Sequence, residues 1–219
     1  MIPFMAAAAA MKGYAQQPFD LDTSFSTNIS VWYVSSILPQ DDGKVLLSGR
    51  IKFPGDTDFR FVTRINSDGT QDNTFPAAVP GGGKLASWTS RVYVGTTQTV
   101  RRLWPDGSID TDFIGMNLGP YFSSSQGGDY HVYPDGRILM SGSHILTDSI
   151  RGYMGYHCLV WFSNTGYLDT TAHHRTCAGS LDFFTELPNG KFIGSGSTGI
   201  WDGQAASNII RFHADGALD

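Results

Sequence analysis

The sequence predicts an all-β chain in which one supersecondary unit is repeated about four times. Gly occupies 26 of 219 positions, well above the ~7% of an average protein, which marks a turn-rich chain. Two kinds of Asp-Gly or Asn-Gly turn recur at fixed spacing. Between them lie short segments of aromatic and β-branched residues with no helix-period pattern. Units of about 40–60 residues, each reading as a four-stranded antiparallel meander, are the sequence form of a β-propeller blade.

The first kind of turn reads Gln40-Asp41-Asp42-Gly43-Lys44, Tyr133-Pro134-Asp135-Gly136-Arg137 and Leu187-Pro188-Asn189-Gly190-Lys191. A second glycine follows at the same distance in each copy, at Gly49, Gly142 and Gly196, after the apolar runs Val45-Leu46-Leu47, Ile138-Leu139-Met140 and Phe192-Ile193. A degenerate copy, Thr89 to Gly95, has lost its turn glycine. The second kind reads Asn66-Ser67-Asp68-Gly69, Trp104-Pro105-Asp106-Gly107, Ser163-Asn164-Thr165-Gly166 and His213-Ala214-Asp215-Gly216. Each is followed by an aspartate: Asp72, Asp110, Asp169 or Asp219. Phe75 and Phe113 close the first two copies. Pro presets the first corner of such a turn, and Gly takes the positive φ that rejoins the strands.

In the first unit the strands fall at 31–38, 44–51, 59–65 and 70–75; the later units span 76–113, 114–171 and 172–219. The propeller domain is therefore 19–219, about four four-stranded blades. Leu21-Asp22-Thr23-Ser24-Phe25 is the ending of a unit without its beginning, and the chain stops at Asp219, where a final strand has just begun. Closure of the ring within the chain by residues 19–25 is the expectation, with an open arc completed by neighbouring copies, or a truncation of a larger propeller, as the alternatives.

Residues 1–18 form a separate N-terminal arm. Five consecutive Ala and a Pro3 placed in a first turn favour a short helix. The absence of positive charge before the apolar run, with Lys12 after it, reverses the order of a secretory signal. Its expected role is docking on a protein partner through Ile2, Phe4, Met5 and Met11, with a frayed or remnant leader over 1–16 as the alternative.

The pattern Pro-Asp-Gly-Lys, apolar run, Gly, then Arg-x-Asn-x-Asp-Gly-x-x-Asp-x-x-Phe resembles the delta-60 repeat family of β-propeller proteins, found in bacterial surface proteins and phage-encoded ones. The resemblance covers residues 19–219. Unit two departs from it by lacking the first turn glycine, and unit three by carrying Trp161-Phe162 and Thr171 in place of the usual Arg and Phe. It implies a fold and no activity.

Net charge is −5, from 15 Lys and Arg against 20 Asp and Glu, and no basic cluster exceeds Arg101-Arg102. The counterion-release drive for nucleic-acid binding is therefore missing. No apolar run approaches the ~18 residues of a membrane span. Cys158 and Cys177 are too few to staple the domain, and their spacing leaves a bridge between them open.

All the Asp-Gly turns fall on one face of the propeller. The irregular segments 52–58, 114–129, 143–157, 172–180 and 197–207 fall on the other, and loops on a rigid scaffold are where binding is usually carried. They display Phe53, Tyr121, Tyr153, Tyr156 and Trp201, the candidate ligand-binding residues, of which Tyr153, Tyr156 and Trp201 would stack on a surface glycan.

Catalytic signatures are absent: there is no Gly-x-Ser-x-Gly elbow and no phosphate loop. Gly194 to Gly199 matches dinucleotide spacing, but Ile200-Trp201-Asp202-Gly203 cannot open the helix that motif requires. His157, Cys158, His173, His174 and Cys177 read as a buried cysteine with exposed loop histidines rather than a zinc site. Asp106, Asp110 and Asp112 read as turn hydrogen bonding rather than a calcium loop. No catalytic residue, metal or cofactor is assigned.

The expectation is a non-enzymatic structural or interaction module, a virion component or surface protein docked through its N-terminal segment. A secreted or surface ligand-binding propeller acting in adhesion is the second reading. A hydrolase or lyase with carboxylates converging from different blades at the propeller mouth is the third. Location follows as virion or extracellular surface.

Overall fold

A computed structural model of the chain describes residues 21–219. The N-terminal arm, with Ile2, Phe4, Met5 and Met11, lies outside the described residues.

Four antiparallel sheets follow one another along the chain. Blade one holds β1 (Ser30–Pro39), β2 (Val45–Lys52) and β3 (Arg60–Ile65). Blade two holds β4 (Leu85–Trp88), β5 (Arg91–Gly95) and β6 (Val100–Leu103). A single 3-10 turn, Met116–Leu118, leads into blade three, made of β7 (Phe122–Val132), β8 (Ile138–Asp148) and β9 (Tyr153–Phe162). In blade four, β10 (Leu181–Glu186) and β11 (Phe192–Gly196) precede a two-stranded ribbon, β12 (Ile200–Trp201) with β13 (Gln204–Ala205), and β14 (Ile209–Phe212) returns to the sheet.

The blades have three strands, not the four expected. Where a fourth was read at 70–75, one bridge forms, Ile65 to Gln71, and the same single bridge recurs as Leu103–Ile109, Phe162–Leu168 and Phe212–Leu218. The recurring aspartate ends the pairing. Asp72 Oδ1 accepts from the Thr74 N–H at 2.9 Å and the Thr74 hydroxyl at 2.6 Å, so the chain turns there. The Phe75 N–H then closes on the Asp72 carbonyl at 3.1 Å, as Phe113 does on Asp110 at 3.2 Å.

Two of the expected loops are strands. Residues 122–129 and most of 143–157 extend the sheet of blade three. In β8, His144, Leu146 and Asp148 point inward and alternate with residues nearer solvent, the period-two pattern that a strand requires.

Both turn families have the expected geometry. The Gly43 N–H reaches the Gln40 carbonyl and the Gly69 N–H the Asn66 carbonyl, with the same bond at Gly107, Gly136, Gly166, Gly190 and Gly216. The second glycine answers a different need. A Cβ at Gly49 would overlap the Tyr33 carbonyl, one at Gly142 the Gln126 carbonyl, and one at Gly196 the Ser180 carbonyl. In each sheet the first strand bulges close by, and the middle strand must let that backbone in.

The ring is not closed within the described chain: blades one and four share no sheet. Residues 21–26 do not complete blade four. The Ser26 N–H donates to the Asp68 carbonyl at 3.0 Å, as the Ile114 N–H donates to the Thr165 carbonyl at 3.0 Å. The orphan ending thus lies on blade one as the ending of blade two lies on blade three.

Core forms between consecutive blades. Each sheet has a leading face toward the next blade and a trailing face toward the previous one. Leu46 and Val62 of blade one pack with Leu85, Val92, Val94 and Leu103 of blade two. Tyr93 and Val100 of blade two pack with Tyr130, Ile138, Met140 and Phe162 of blade three. Leu139, Leu159 and Trp161 of blade three pack with Phe184, Phe192, Ile210 and Phe212 of blade four.

Candidate functional site

The recurring aspartate ties together the leading faces of blades one, two and four. Asp72 Oδ2 accepts from Lys44 Nζ at 2.8 Å and Arg64 Nε at 2.7 Å. Asp110 Oδ2 accepts from Arg91 Nε at 3.0 Å and Arg102 Nε at 2.7 Å. Asp219 is held by Lys191 and Arg211. Burial works to raise the carboxyls of Asp72 and Asp110, but the hydrogen bonds from these cations outweigh it and hold both below the usual carboxylate range. Blade three departs as its sequence does: Trp161 replaces the arginine, and Arg137 turns to Asp135 at 2.8 Å.

On covered faces a guanidinium also reaches the next blade. Arg64 Nη1 donates to the Pro105 carbonyl at 2.8 Å, and Arg102 Nη1 donates to the Asn164 carbonyl. Across the third boundary Arg175 Nε, in the linker, donates to the Asp215 carbonyl at 3.0 Å. Each acceptor belongs to a turn of the second family.

Blade four carries the same pattern on a face that nothing among the described residues covers. Strand register aligns Ile193 with Leu46, Tyr93 and Leu139, and Ile209 with Val62, Val100 and Leu159. The residues in the first three blades are at most 2% exposed, whereas Ile193 is 39% and Ile209 65% exposed. Phe183, beside them, is 70% exposed. Together with Phe184, Thr185, Gly194 and Ser195 they line a shallow, mostly apolar depression of about 320 Å³. An exposed contiguous apolar patch of this kind marks an interaction surface.

The aromatic residues expected to bind ligand separate by burial. Trp201 lies in the core between blades three and four, its indole N–H donating to the Gly216 carbonyl at 2.9 Å. Phe53 is buried under blade one, below the Arg60 guanidinium at 5.6 Å. Arg60 in turn pairs with Asp56 at 2.8 Å, and this hydrogen bond chiefly lowers the Asp56 carboxyl to about 2. Tyr153 is half-buried, edge-on to His174 with ring centroids 4.9 Å apart. Tyr121 and Tyr156 reach solvent, Tyr156 beside Met154 on the β8–β9 hairpin. The structure does not gather the five into one place.

The histidine and cysteine segment is also rearranged. Cys158 and Cys177 form a disulfide with Cα atoms 5.8 Å apart. His157 and His174 are buried rather than exposed; His173 alone of the three lies at the surface. Burial lowers His174 to about 4, and the same cause lowers His157. In blade three, His144 donates from Nε2 to the Ser141 carbonyl and accepts at Nδ1 from the Ser124 hydroxyl, both at 3.0 Å, and burial lowers it to about 4. These are neutral packing groups at pH 7. Among the described residues, no group of three or more His, Cys, Asp and Glu side chains gathers in metal-binding geometry. Asp106 Oδ1 accepts from the Ser108 N–H at 2.9 Å and hydroxyl at 2.7 Å, the turn role read for it.

Sequence reasoning missed Ile193 and Ile209 because they sit in strands that read as core, and their types match residues that are core in earlier blades; Phe183 aligns instead with the polar Ser36, Lys84 and Asp129 and sits in a strand that reads as core.

Residues 40–75, 86–113 and 187–219 match the model of a β-propeller domain family of unknown function, DUF5122. Over these segments the repeats read from the sequence coincide with the match to that model. No curated protein matches the chain. Among solved structures, a protein of unknown function from Bacteroides caccae is similar at 10% identity and a TM-score of 0.39, over 85% of this chain and 80% of that one.

Proposed function

We propose that this chain of propeller repeats is a non-enzymatic interaction module that assembles with protein through the leading face of blade four. The observation that carries the reading is the exposure of Ile193 and Ile209, whose equivalents in three other blades are buried by protein, with Phe183 exposed beside them. Apolar positions of this kind become energetic anchors when a partner desolvates them. The setting we infer is a virion or extracellular surface, supported by the Cys158–Cys177 disulfide, since such bonds persist in oxidising surroundings.

A photo-reactive benzoylphenylalanine in place of Phe183, expressed in the native source, tests this. The expected result is a covalent adduct to a polypeptide. Absence of an adduct there, with an adduct from the same label at Tyr156, overturns the reading in favour of binding at the β8–β9 hairpin.

A further inference from the structure

The two ends of the array carry matching halves of the contact that joins its interior blades. On the trailing side, register aligns Ile37 of blade one with Leu85, Tyr130 and Phe184 of the later blades. Those three are at most 6% exposed, because a preceding blade covers them, while Ile37 is 64% exposed. Phe25 shows the same contrast: its counterparts Phe75 and Phe113 are buried, and it is 43% exposed. Ile29 packs on Leu47 and Ile65 as Val79 packs on Val94 and Leu103, so blade one already carries the linker that lies at an interior boundary. Its trailing face therefore has the form that receives a leading face, and blade four has a leading face to offer.

The polar part matches as well. Arg211 aligns with Arg64 and Arg102. All three pair with the recurring aspartate, but Arg211 reaches no turn carbonyl of another blade among the described residues and is more than half exposed. In blade one the carbonyl equivalent to Pro105 and Asn164 is that of Ser67, in the turn Asn66-Ser67-Asp68-Gly69.

We propose that the partner of the blade-four face is the trailing face of blade one in a second copy of this chain, packed head to tail in continuation of the interior boundaries. Phe183, Ile193 and Ile209 of one copy cover Ile37, Val45 and Phe25 of the next, and Arg211 donates to the Ser67 carbonyl. The contact joins two different surfaces, so it ends by closing a ring or else propagates. The smallest ring that such a contact can close holds two copies, and a closed dimer is the expected form. This inference rests on the reading above and names its partner.

Sedimentation equilibrium of the purified full chain is the test, with Ile209→Asp and Ile37→Asp as variants at opposite ends. Both positions are exposed, and unchanged circular dichroism and melting temperature verify folding. The wild type is expected at twice the chain mass, with each variant weakened at least ~10-fold by burial of a charge in an apolar contact. Mixing the two variants restores one intact contact, because each retains the surface the other lacks, and yields a dimer that neither forms alone. A dimer unaffected by Ile37→Asp but lost in Ile209→Asp identifies a symmetric blade-four contact and overturns the proposal. A wild-type monomer at ~100 µM overturns it too. In that case an adduct from the Phe183 label to a different polypeptide leaves the interaction function standing, and no adduct removes both.

Discussion

Blades two and four have the same side-chain plan and opposite surroundings. In blade two, Tyr93, Val100, Arg102 and Asp110 face blade three and are buried; in blade four, Ile193, Ile209, Arg211 and Asp219 occupy those positions and face outward. Identical local instructions thus yield core in one place and surface in another, because a blade cannot bury its own leading face. Burial here is a property of neighbours and not of the repeat.

Substitution should separate the two blades most at the aspartate. Asp110→Asn strands Arg91 and Arg102 in a buried site and is expected to cost about 3–5 kcal/mol in urea denaturation, while Asp219→Asn, read in the monomer, should leave the midpoint unchanged. Equal losses in the monomer would erase the contrast between the two blades.

Apolar truncation gives the next contrast. Leu139→Ala should cost about 3 kcal/mol through the cavity it leaves, whereas Ile193→Ala in the monomer should stay within about 0.5 kcal/mol. A large loss at Ile193 would again erase the distinction.

The boundary between blades three and four has a covalent tie that the others lack. The disulfide spans a separation of 19 residues. Replacing Cys158 and Cys177 by Ala is expected to lower stability by about 3 kcal/mol, read as a shift in urea midpoint. Insensitivity of the wild type to reductant would argue against the bond in solution.

Acid should act on blade three and this same boundary. His144 and His174 have folded values near 4, below the 6.5 of the unfolded chain. Between these values the unfolded state binds more protons. Stability present above pH 6.5 is therefore lost as pH falls toward 4, by about 2 kcal/mol per histidine at pH 5. His144→Gln should remove part of that slope, and an unchanged pH profile would count against its burial as a neutral ring. Asp72 and Asp110 act lower: their depressed carboxyls contribute above the unfolded value of 3.8 and lose that contribution as pH falls below it.

Much of the architecture was legible because turn chemistry is local. Asp-Gly placement fixed both families of turn, and the second glycine marked the close approach of a bulged strand before that strand was known. The fourth strand was misread because Thr70 to Phe75 has strand composition, and only the Asp72 side chain, folded back on Thr74, shows why pairing stops after one bridge. The extension of blade three was misread for the opposite reason: Gly127, Gly128, Gly152 and Gly155 resemble loop residues but lie in or between long paired strands. Trp201 was assigned to a loop surface because its two-residue strand carries no sequence signal, yet pairing with Cys177 turns the indole into the core. The uncovered face could not be read at all, since exposure at Ile193 depends on the neighbour that blade four meets rather than on any residue within it.

The unequal length of the blades has a further consequence. Strand β8 has 11 residues and β5 has 5, and both start from the turn end of the molecule. At ~3.3 Å per residue, blade three therefore overhangs blade two by roughly 20 Å. Ile150, Met154 and Tyr156 are solvent-facing on that projecting arm. A large body approaching from this side meets the arm before it can touch blade two, so first contact there is a matter of reach rather than affinity.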